Sequence, residues 1–563
     1  ASFVPGRKAV DNVVVVKETL HYFKRKQGQI GLILVKLDLD KAYDRLEWDF
    51  IRKVLYFFQF PDSWINLIMS CVATSSLSIL MNGERSEKII PTRGLRQGDP
   101  LSPYLFILCI EYLSIMINKS CAEGHWKQIK LGRSGPRLSH LCFADDIILM
   151  GRADSTTALT MKEVLQKFCQ ISGQCINFVK SKIFFSRNVA ETMKQDICQT
   201  LNINASDYFG TYLGFPMDSM RRRTTQYRFI IEKMHGKLQA WKARHLSMAG
   251  RAVLVKSTLS AIPSYYMQGT RLPSNICNEI DRVNRDLLWD SIDKKKLNLI
   301  SWNRITLAKE GGLGVREAGL KNDAAMAKLT WRLVTERDSL WAQVLISRYC
   351  NSHERKNCSE TWNSMKKGQY VFANGLRRII GDGTDTKFWT EDWTGMGPLY
   401  TLCHGPLLQN EYNLTVQEVC NRREDWIQNL GSLELPNFII DKLRAMPIFF
   451  QQGKMDSICW KLTQDGKFTY ASAYNLARNI MRGDSIGTGF KWIWRIPTLP
   501  KIKFFIWLSI WNGIVVCDNL AQRGIEVNTI CARCLQGRET IIHTLWDCEK
   551  SKKIWSRLLP VRV

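Results

Sequence analysis

The chain has 563 residues, enough for about three or four domains, so a single compact fold is excluded. Its 79 lysines and arginines against 52 aspartates and glutamates give a formal net charge of +27, spread along the chain, which favours a polyanionic partner, nucleic acid before a membrane. Seventeen scattered cysteines lack the dense, even spacing of a secreted disulfide scaffold, and no signal-peptide pattern opens the chain, so we expect a reduced, intracellular protein.

Strand-like and helix-like patterns alternate over residues 1–215, which predicts a mixed α and β domain. The segment QIGLILVKLDLD, residues 29–40, is typical of a buried strand, and apolar residues recur at helical spacing over residues 46–58. The apolar run of residues 104–117 contains Glu111 and is shorter than the roughly 20 residues that a membrane span needs. It therefore predicts a buried helix.

The segment SHLCFADDIILMG, residues 139–151, predicts a β-hairpin. Residues 141–143 and 147–150 would form its two strands, with Asp145 and Asp146 at the tight turn between them. Aspartate is a common turn residue, so this pair alone has an ordinary structural explanation.

A third aspartate, Asp38, lies near the end of the first predicted strand, where buried aliphatic neighbours make an unpaired charge costly. Asp44 and Glu47 fit a capping box for the next helix, but capping does not account for Asp38. If this strand pairs beside the hairpin, three carboxylates meet at one sheet edge and require cations. Two Mg²⁺ ions suit such a site, and two metals promote an in-line phosphoryl displacement.

The segment RGLRQGDPLSPYLFILCIEYL lies between these aspartates and supports their convergence. Gly94 and Gly98 permit close backbone approach, and we expect Ser102 to be the N-cap of the next helix and Pro103 its first helical residue. Gln97 and Gly98 are then expected to face the carboxylates, near a helix N-terminus that favours phosphate.

The remaining chain falls into three predicted regions. Residues 216–330 are helical and basic, residues 331–465 show a weaker signal with recurring tryptophans, and residues 466–563 are rich in aromatic residues. The last region contains a C-x2-C-x8-H-x4-C pattern, which is sufficient for one closed tetrahedral Zn²⁺ site of structural type. Its predicted ligands are Cys531, Cys534, His543 and Cys548, with Cys517 as a lower-ranked substitute.

Five motifs, KLDLDKAYDRLEW, GLRQGDPLSPYLF, FADD, SGQCINFVKSKIFF and YLGFP, occur in an order that resembles the reverse transcriptases of plant non-LTR (LINE-type) retrotransposons. The resemblance implies an α+β fold of the right-hand polymerase type. It assigns a palm with partial fingers to residues 1–215, a helical thumb to 216–330, a Trp-rich helical connecting region to 331–465 and a small zinc-binding domain to 466–563.

The resemblance also implies catalytic roles. Asp38, Asp145 and Asp146 match the metal-binding aspartates, with two Mg²⁺ ions (or Mn²⁺) as cofactors, and Asp146 is the least direct ligand. Lys180 matches the lysine that protonates the pyrophosphate, although an ordinary surface lysine is an equally good explanation.

Other residues match positions that hold the substrates. Tyr43 matches the aromatic residue that excludes a 2′-hydroxyl, and Gln97 and Gly98 match the motif that contacts template and nucleotide. The primer grip matches Tyr212, Leu213 and Gly214. Ordinary packing could equally explain Tyr43, and a strand ending in a turn could explain the YLG sequence.

The resemblance implies RNA template, DNA primer and target, RNA:DNA hybrid and deoxynucleoside triphosphates as partners, no membrane, and a nuclear location during integration. The chain starts at ASFVPGRKAV without an initiator methionine or the family's first fingers motifs, and neither an endonuclease nor an RNase H pattern is visible, so we expect an N-terminally truncated protein. The alternative is an inactive remnant or an RNA-binding protein with a polymerase fold. A group II intron maturase is disfavoured by the Trp-rich segment and the zinc spacing.

Overall fold

A computed structural model describes most of the chain in two compact units. The N-terminal unit comprises residues 1–221 and 332–364, and the C-terminal unit comprises residues 222–331 and 365–563. The described residues are 3–132, 134–218, 223–240, 246–289, 297–307, 311–350, 358–403, 405–420, 436–446, 450–451, 453–483 and 489–559.

The first 216 residues of the N-terminal unit alternate helices and strands, as the sequence predicts. The elements are α1 (Ala9–Phe23), β1 (Leu32–Leu37), α2 (Trp48–Phe57), α3 (Asp62–Ala73), β2 (Leu80–Met81), β3 (Glu84–Arg85), α4 (Ser102–Ala122), β4 (Ile129–Lys130), β5 (Arg137–Leu138), β6 (His140–Phe143), β7 (Asp146–Arg152), α5 (Ser155–Ser172), β8 (Lys182–Phe185), α6 (Glu191–Leu201), β9 (Thr211–Tyr212) and β10 (Phe215–Pro216).

A four-stranded antiparallel sheet, in the order β6-β7-β1-β8, forms the centre of this unit. Alternate residues of β1, including Ile33 and Val35, join the hydrophobic cluster that α2, α4 and α5 build on one face of the sheet. On the other face Leu34 pairs with Met150, whose Sδ lies 3.9 Å from Thr19 Oγ1 of α1. Because helices cover both faces, β1 is buried almost along its whole length, which is why its sequence is a nearly continuous apolar run.

Two details of the predicted helix starts are wrong. α2 begins at Trp48, and Glu47 makes no capping hydrogen bond; its amide instead donates to the Ser172 carbonyl and its carboxylate pairs with Arg93. A tertiary partner therefore replaces the expected capping box. Ser102 is already the first residue of α4, and Leu101 occupies the cap position.

By length and composition α4 could cross a membrane. Leu105, Phe106, Cys109 and Leu113 are instead buried in the core that the helix shares with the sheet, as expected for a core helix.

Residues 332–364, within the predicted connecting region 331–465, pack with the N-terminal unit. They contain the end of α12 (Ala318–Thr335), α13 (Leu340–Leu345), a π-helical turn (Ile346–Cys350) and the start of α14 (Glu360–Gly375). The Glu18 carboxylate of α1, which has no solvent exposure, accepts hydrogen bonds from Arg348 at 2.5 Å, from Tyr349 at 2.7 Å and from Ser359. A buried carboxylate needs such partners, and these tie the segment to α1.

The C-terminal unit is mainly helical, and its described residues between 223 and 331 contain no strand. Beyond the elements above it contains α7 (Arg223–Ala240), α8 (Met248–Leu254), a π-helical turn (Val255–Leu259), α9 (Ala261–Met267), α10 (Ser274–Trp289), α11 (Trp302–Ile305), β11 (Leu376–Ile379), a 3₁₀ turn (Leu399–Thr401), α15 (Val416–Cys420), α16 (Asn437–Arg444), β12 (Ser457–Trp460), α17 (Tyr470–Arg482), α18 (Lys491–Arg495), α19 (Pro500–Ile510), α20 (Cys517–Ala521), a π-helical turn (His543–Asp547) and α21 (Glu549–Leu558).

Several tryptophans of the region 331–465 serve as core residues. Trp389 and Trp393 form a small cluster with Phe388, whose carbonyl accepts a 2.9 Å hydrogen bond from Trp393 Nε1. Trp460 is buried in a second cluster with Tyr474 of α17. These contacts give the recurring tryptophans a packing role.

Candidate active site and zinc cluster

The three predicted carboxylates meet at one edge of the central sheet. Leu37, the last residue of β1, pairs with Ile147, so the next pair in this antiparallel register is Asp38 and Asp146. Phe143 pairs with Asp146, so Ala144 and Asp145 form a two-residue hairpin turn between β6 and β7. Residues far apart in the sequence thus become neighbours through strand pairing.

The carboxylates are close enough to influence one another electrostatically. Burial raises the pKa of Asp146, and the charges of Asp145 and Asp38 raise it further, while Lys36 opposes them. The charge of Asp145 also reaches Tyr43, whose pKa is raised mainly by burial. Like charges held this close favour a bound cation, and carboxylate oxygens are the ligands that Mg²⁺ prefers.

Lys180 lies beside Asp38, although the two residues are remote in sequence. Its Nζ is 3.8 Å from Asp38 Oδ2, on a side chain that is 70% exposed. The turn that carries it is docked on the backbone of Asp38, because Asn177 N donates to the Asp38 carbonyl at 2.8 Å and Asp38 N donates to Ser181 Oγ at 3.1 Å. The lysine ammonium therefore stands at the rim of the carboxylate cluster.

Tyr43 is fixed between the core and the site. Its ring stacks on Phe106 of α4, with centroids 4.6 Å apart and an interplanar angle of 13°. Its carbonyl accepts a 2.8 Å hydrogen bond from Leu95 N, which docks the loop before α4 on this segment. Packing accounts for the position of the ring, and the charge of Asp145 adds to the burial that raises the pKa of its hydroxyl.

Gly94 makes this docking possible. Its φ is +88°, its amide donates to the Leu46 carbonyl at 2.8 Å, and its carbonyl accepts from Trp48 Nε1 at 2.8 Å. Gln97 and Gly98 follow in the same loop, both exposed, and Gly98 also has a positive φ, of +93°. The loop is thus anchored at Gly94 and open to solvent at Gln97.

The predicted primer grip is a tight turn between β9 and β10. Leu213 and Gly214 occupy its left-handed positions, with φ of +47° and +77°. Tyr212 is buried, and burial together with the charge of Asp146 raises its pKa. The turn therefore lies near the carboxylates.

Lys36 joins these two parts of the site, although it is not among the residues predicted from the sequence. Its Nζ donates to the Thr211 carbonyl at 2.8 Å, lies 5.3 Å from the centre of the Phe209 ring, and lowers the pKa of Asp146. The feature of the sequence that could have indicated this role is a lysine inside an otherwise apolar strand, two residues before Asp38.

The predicted zinc ligands form one cluster. The ligand atoms of Cys531, Cys534, His543 and Cys548 all lie within 4.8 Å of one another. Cys534 Sγ is 3.2 Å from His543 Nε2, and Cys531 and Cys548 are buried. Backbone amides donate to the Cys531 sulfur and lower its pKa, and the amide of Cys534 has the largest effect. A lowered pKa suits a thiolate ligand.

Cys517 lies outside this cluster. Its side chain interacts with Glu539, which raises its pKa. The four residues of the C-x2-C-x8-H-x4-C pattern are thus a complete donor set for tetrahedral Zn²⁺ without Cys517.

Two protein-family models match the chain. One, described as reverse transcriptase (RNA-dependent DNA polymerase), covers residues 2–217, and the other, described as zinc-binding in reverse transcriptase, covers residues 468–555. The first range includes all the predicted catalytic and substrate-contacting residues, and the second includes all four predicted zinc ligands.

Individual proteins are similar to parts of the chain. An Arabidopsis thaliana protein named for ribonuclease H is 30% identical over 361 residues, 62% of this chain and 58% of that protein. The Transposon TX1 149 kDa protein of Xenopus laevis is 27% identical over 318 residues, 55% of this chain and 23% of that protein. The chain thus spans 58% or less of the length of these two relatives.

A solved structure of telomerase from Candida albicans in complex with a fragment of telomeric RNA is similar to part of this chain. The similarity covers 61% of this chain and 52% of the telomerase chain, with 12% sequence identity and a TM-score of 0.26. This likeness is too small to carry an argument about the fold.

Proposed function

We propose that this chain, which matches the reverse transcriptase model over residues 2–217 and the model for zinc binding in reverse transcriptase over residues 468–555, is the RNA-directed DNA polymerase of a non-LTR retrotransposon. The reaction extends a primer 3′-hydroxyl with deoxynucleoside triphosphates on an RNA template. The observation that carries the proposal is the meeting of Asp38, Asp145 and Asp146 at one edge of the sheet. In this proposal residues 1–215 are the palm with partial fingers, and residues 216–330 are the thumb.

The carboxylates are suited to holding two Mg²⁺ ions, or Mn²⁺. Bound there, the metals would activate the attacking hydroxyl and stabilise the leaving oxygen of an in-line displacement. Asp145 is the exposed member of the three, and Asp38 and Asp146 are half-buried, with Asp146 at the start of β7. Cation binding would offset the mutual repulsion that raises the pKa of Asp146.

Four other groups are assigned to the substrates. Tyr43, stacked on Phe106, would close the nucleotide site against a 2′-hydroxyl, and the exposed loop at Gln97 and Gly98 would contact template and nucleotide. Lys180, whose Nζ lies 3.8 Å from Asp38 Oδ2, would donate a proton to the departing pyrophosphate.

The turn 212–214 would grip the primer beside Asp146. The structural Zn²⁺ would be held by Cys531, Cys534, His543 and Cys548, apart from the chemistry.

Primer extension on an RNA template tests the proposal. Wild type is compared with Asp145→Asn, which keeps the size of the side chain but removes a metal-binding charge. Loss of several kcal/mol of metal-assisted stabilisation corresponds to a fall in rate of about 100-fold or more, since each 1.36 kcal/mol is tenfold. Asp196→Asn, on the exposed face of α6, is the matched control and should extend normally.

Equal synthesis by wild type and Asp145→Asn would refute the assignment of catalysis to this site. Tight RNA binding by the wild type without extension in Mg²⁺ or Mn²⁺ would instead favour an inactive, RNA-binding protein.

A further inference from the structure

A second concave site lies in the N-terminal unit, at the end of the central strands opposite to the carboxylates. It is a cavity of about 640 Å³ whose lining includes Leu32, the first residue of β1, and Arg152, the last residue of β7. Asp38 follows the other end of β1, so six residues at about 3.3 Å each separate the two sites by about 20 Å. The cavity is therefore distinct from the candidate active site.

Five cationic residues line this cavity, and no aspartate or glutamate does. We call it the basic cleft, and its cations are Lys26, Lys127, Lys130, Arg137 and Arg152. Lys127 pairs with Asp154 at 3.2 Å. The other four form no ion pair with any residue of the described ranges, and three of them, Lys130, Arg137 and Arg152, are exposed. The excess positive charge of the cleft is thus not neutralised locally.

The ribbon of β4 and β5 places two of these charges face to face. Lys130 and Arg137 are direct cross-strand partners, with the buried pair Ile129 and Leu138 next to them. Like charges directly opposite one another destabilise a ribbon unless an anion lies between them or beside them. An anion bound between or beside these two side chains would remove the repulsion.

The cleft is held by hydrogen bonds that do not depend on a ligand. Arg152 N donates to the Lys127 carbonyl at 3.0 Å, and Trp126 Nε1 donates to the Met150 carbonyl at 3.0 Å. These bonds attach the chain entering the ribbon to β7. The backbone that carries Lys127 and Arg152 is consequently fixed before a ligand binds, which reduces the entropic cost of binding.

We propose that the basic cleft binds the phosphate backbone of single-stranded RNA, at a site separate from the polymerase site. The choice of RNA rests on the proposed function. A stiff duplex would touch a cavity of this size only at its rim, whereas a flexible single strand can enter it. Trp126 is buried and its indole N–H is already bonded, so the cleft recognises phosphates rather than stacked bases. Gln128, also in the lining, offers an amide to a 2′-hydroxyl.

The test is the binding of an unprimed single-stranded RNA oligonucleotide, followed by fluorescence anisotropy at several salt concentrations. The variant Lys130→Gln/Arg137→Gln removes two phosphate contacts from exposed positions. Each contact contributes about 0.7 to the salt slope for single strands, so the slope should fall by about 1.4. If electrostatic binding vanishes near 1 M salt, the Kd at 0.1 M salt should rise about 25-fold.

The control, Lys162→Gln/Lys167→Gln, removes the same charge from α5 and should bind RNA with nearly wild-type affinity. An RNA affinity and salt slope that are unchanged in Lys130→Gln/Arg137→Gln, or reduced equally in the control, would overturn the proposal. Wild-type protein that binds single-stranded DNA of the same sequence as tightly as the RNA would overturn the assignment to RNA.

Failure of this proposal and failure of the polymerase assignment are distinguishable. Asp145→Asn should bind the unprimed RNA normally, and Lys130→Gln/Arg137→Gln should extend a short primed template that fills only the polymerase site. A wild type that binds RNA through the basic cleft but extends no primer would reject the polymerase and keep the second site.

Discussion

Gly94→Ala should detach the loop that carries Gln97 and Gly98 from the segment that follows Asp38. Gly94 has a φ of +88°, and a Cβ there would lie 2.6 Å from the Asp44 carbonyl oxygen and 3.0 Å from its carbonyl carbon and Cα. These are backbone atoms, so no flexible side chain can move aside. The loop itself must shift.

Two costs contribute to the effect. Alanine in the left-handed region costs about 1–2 kcal/mol relative to glycine, and overpacking in a tight contact costs about 1–3 kcal/mol more. Gly83→Ala is the matched control, because Gly83 has a φ of +92° but no atom within 4 Å of its Cβ position. The difference between the two variants, about 1–3 kcal/mol, isolates the contact with Asp44.

Hydrogen exchange followed by mass spectrometry measures this locally. The amides of Gly94 and Leu95 donate to the Leu46 and Tyr43 carbonyls, so peptides over residues 91–101 report the docking of the loop. A loss of 1.4 kcal/mol accelerates exchange about tenfold, and we expect at least that acceleration in Gly94→Ala. The KM for the incoming nucleotide should rise as well, because the loop no longer lies against Tyr43.

Exchange over residues 91–101 that is as slow in Gly94→Ala as in wild type would refute the reasoning. In that case the loop does not approach Asp44 closely, and its docking on the segment that carries Tyr43 would have no structural support.

Two further predictions concern Lys36 and the zinc cluster. The positive charge of Lys36 lowers the pKa of Asp146, so Lys36→Met should raise that pKa. Because the carboxylate must be ionised to bind metal, the acid limb of the pH–rate profile for primer extension should then shift to higher pH. Lys36→Arg should keep the wild-type limb, and an unmoved limb in Lys36→Met would contradict the role given to Lys36. Metal analysis should find about one zinc per chain in wild type and in Cys517→Ser, but almost none in Cys531→Ser. Because metal binding stabilises the fold, peptides over residues 531–555 of Cys531→Ser should also lose protection from hydrogen exchange. Wild-type zinc content in Cys531→Ser would rule out that ligand.

Local patterns determine much of this protein. The FADD hairpin follows from two apolar runs around a turn, and β1 follows from an apolar run long enough for a buried strand. The zinc ligands are separated by short segments, so the spacing of Cys531, Cys534 and the residues after them already restricts their geometry. Such features depend on neighbours along the chain, and the amino-acid sequence is sufficient to find them.

Features that depend on contacts between distant segments are decided only by the tertiary structure. The capping box at Asp44 and Glu47 does not form, because Ser172 and Arg93 take up Glu47 instead. Lys36 reaches Thr211 only because strand pairing brings these segments together.

The same holds for buried and charged groups elsewhere in the N-terminal unit. The buried carboxylate of Glu18 forms an ion pair with Arg348, which is distant in sequence. This contact helps to hold residues 332–364 in the N-terminal unit. The basic cleft likewise collects lysines and arginines from several segments, each of which alone would pass for a solvated surface residue. Local spacing therefore determined the turns, strands and metal ligands, whereas burial and charge pairing between remote segments decided how they are arranged, since those energies depend on the folded chain.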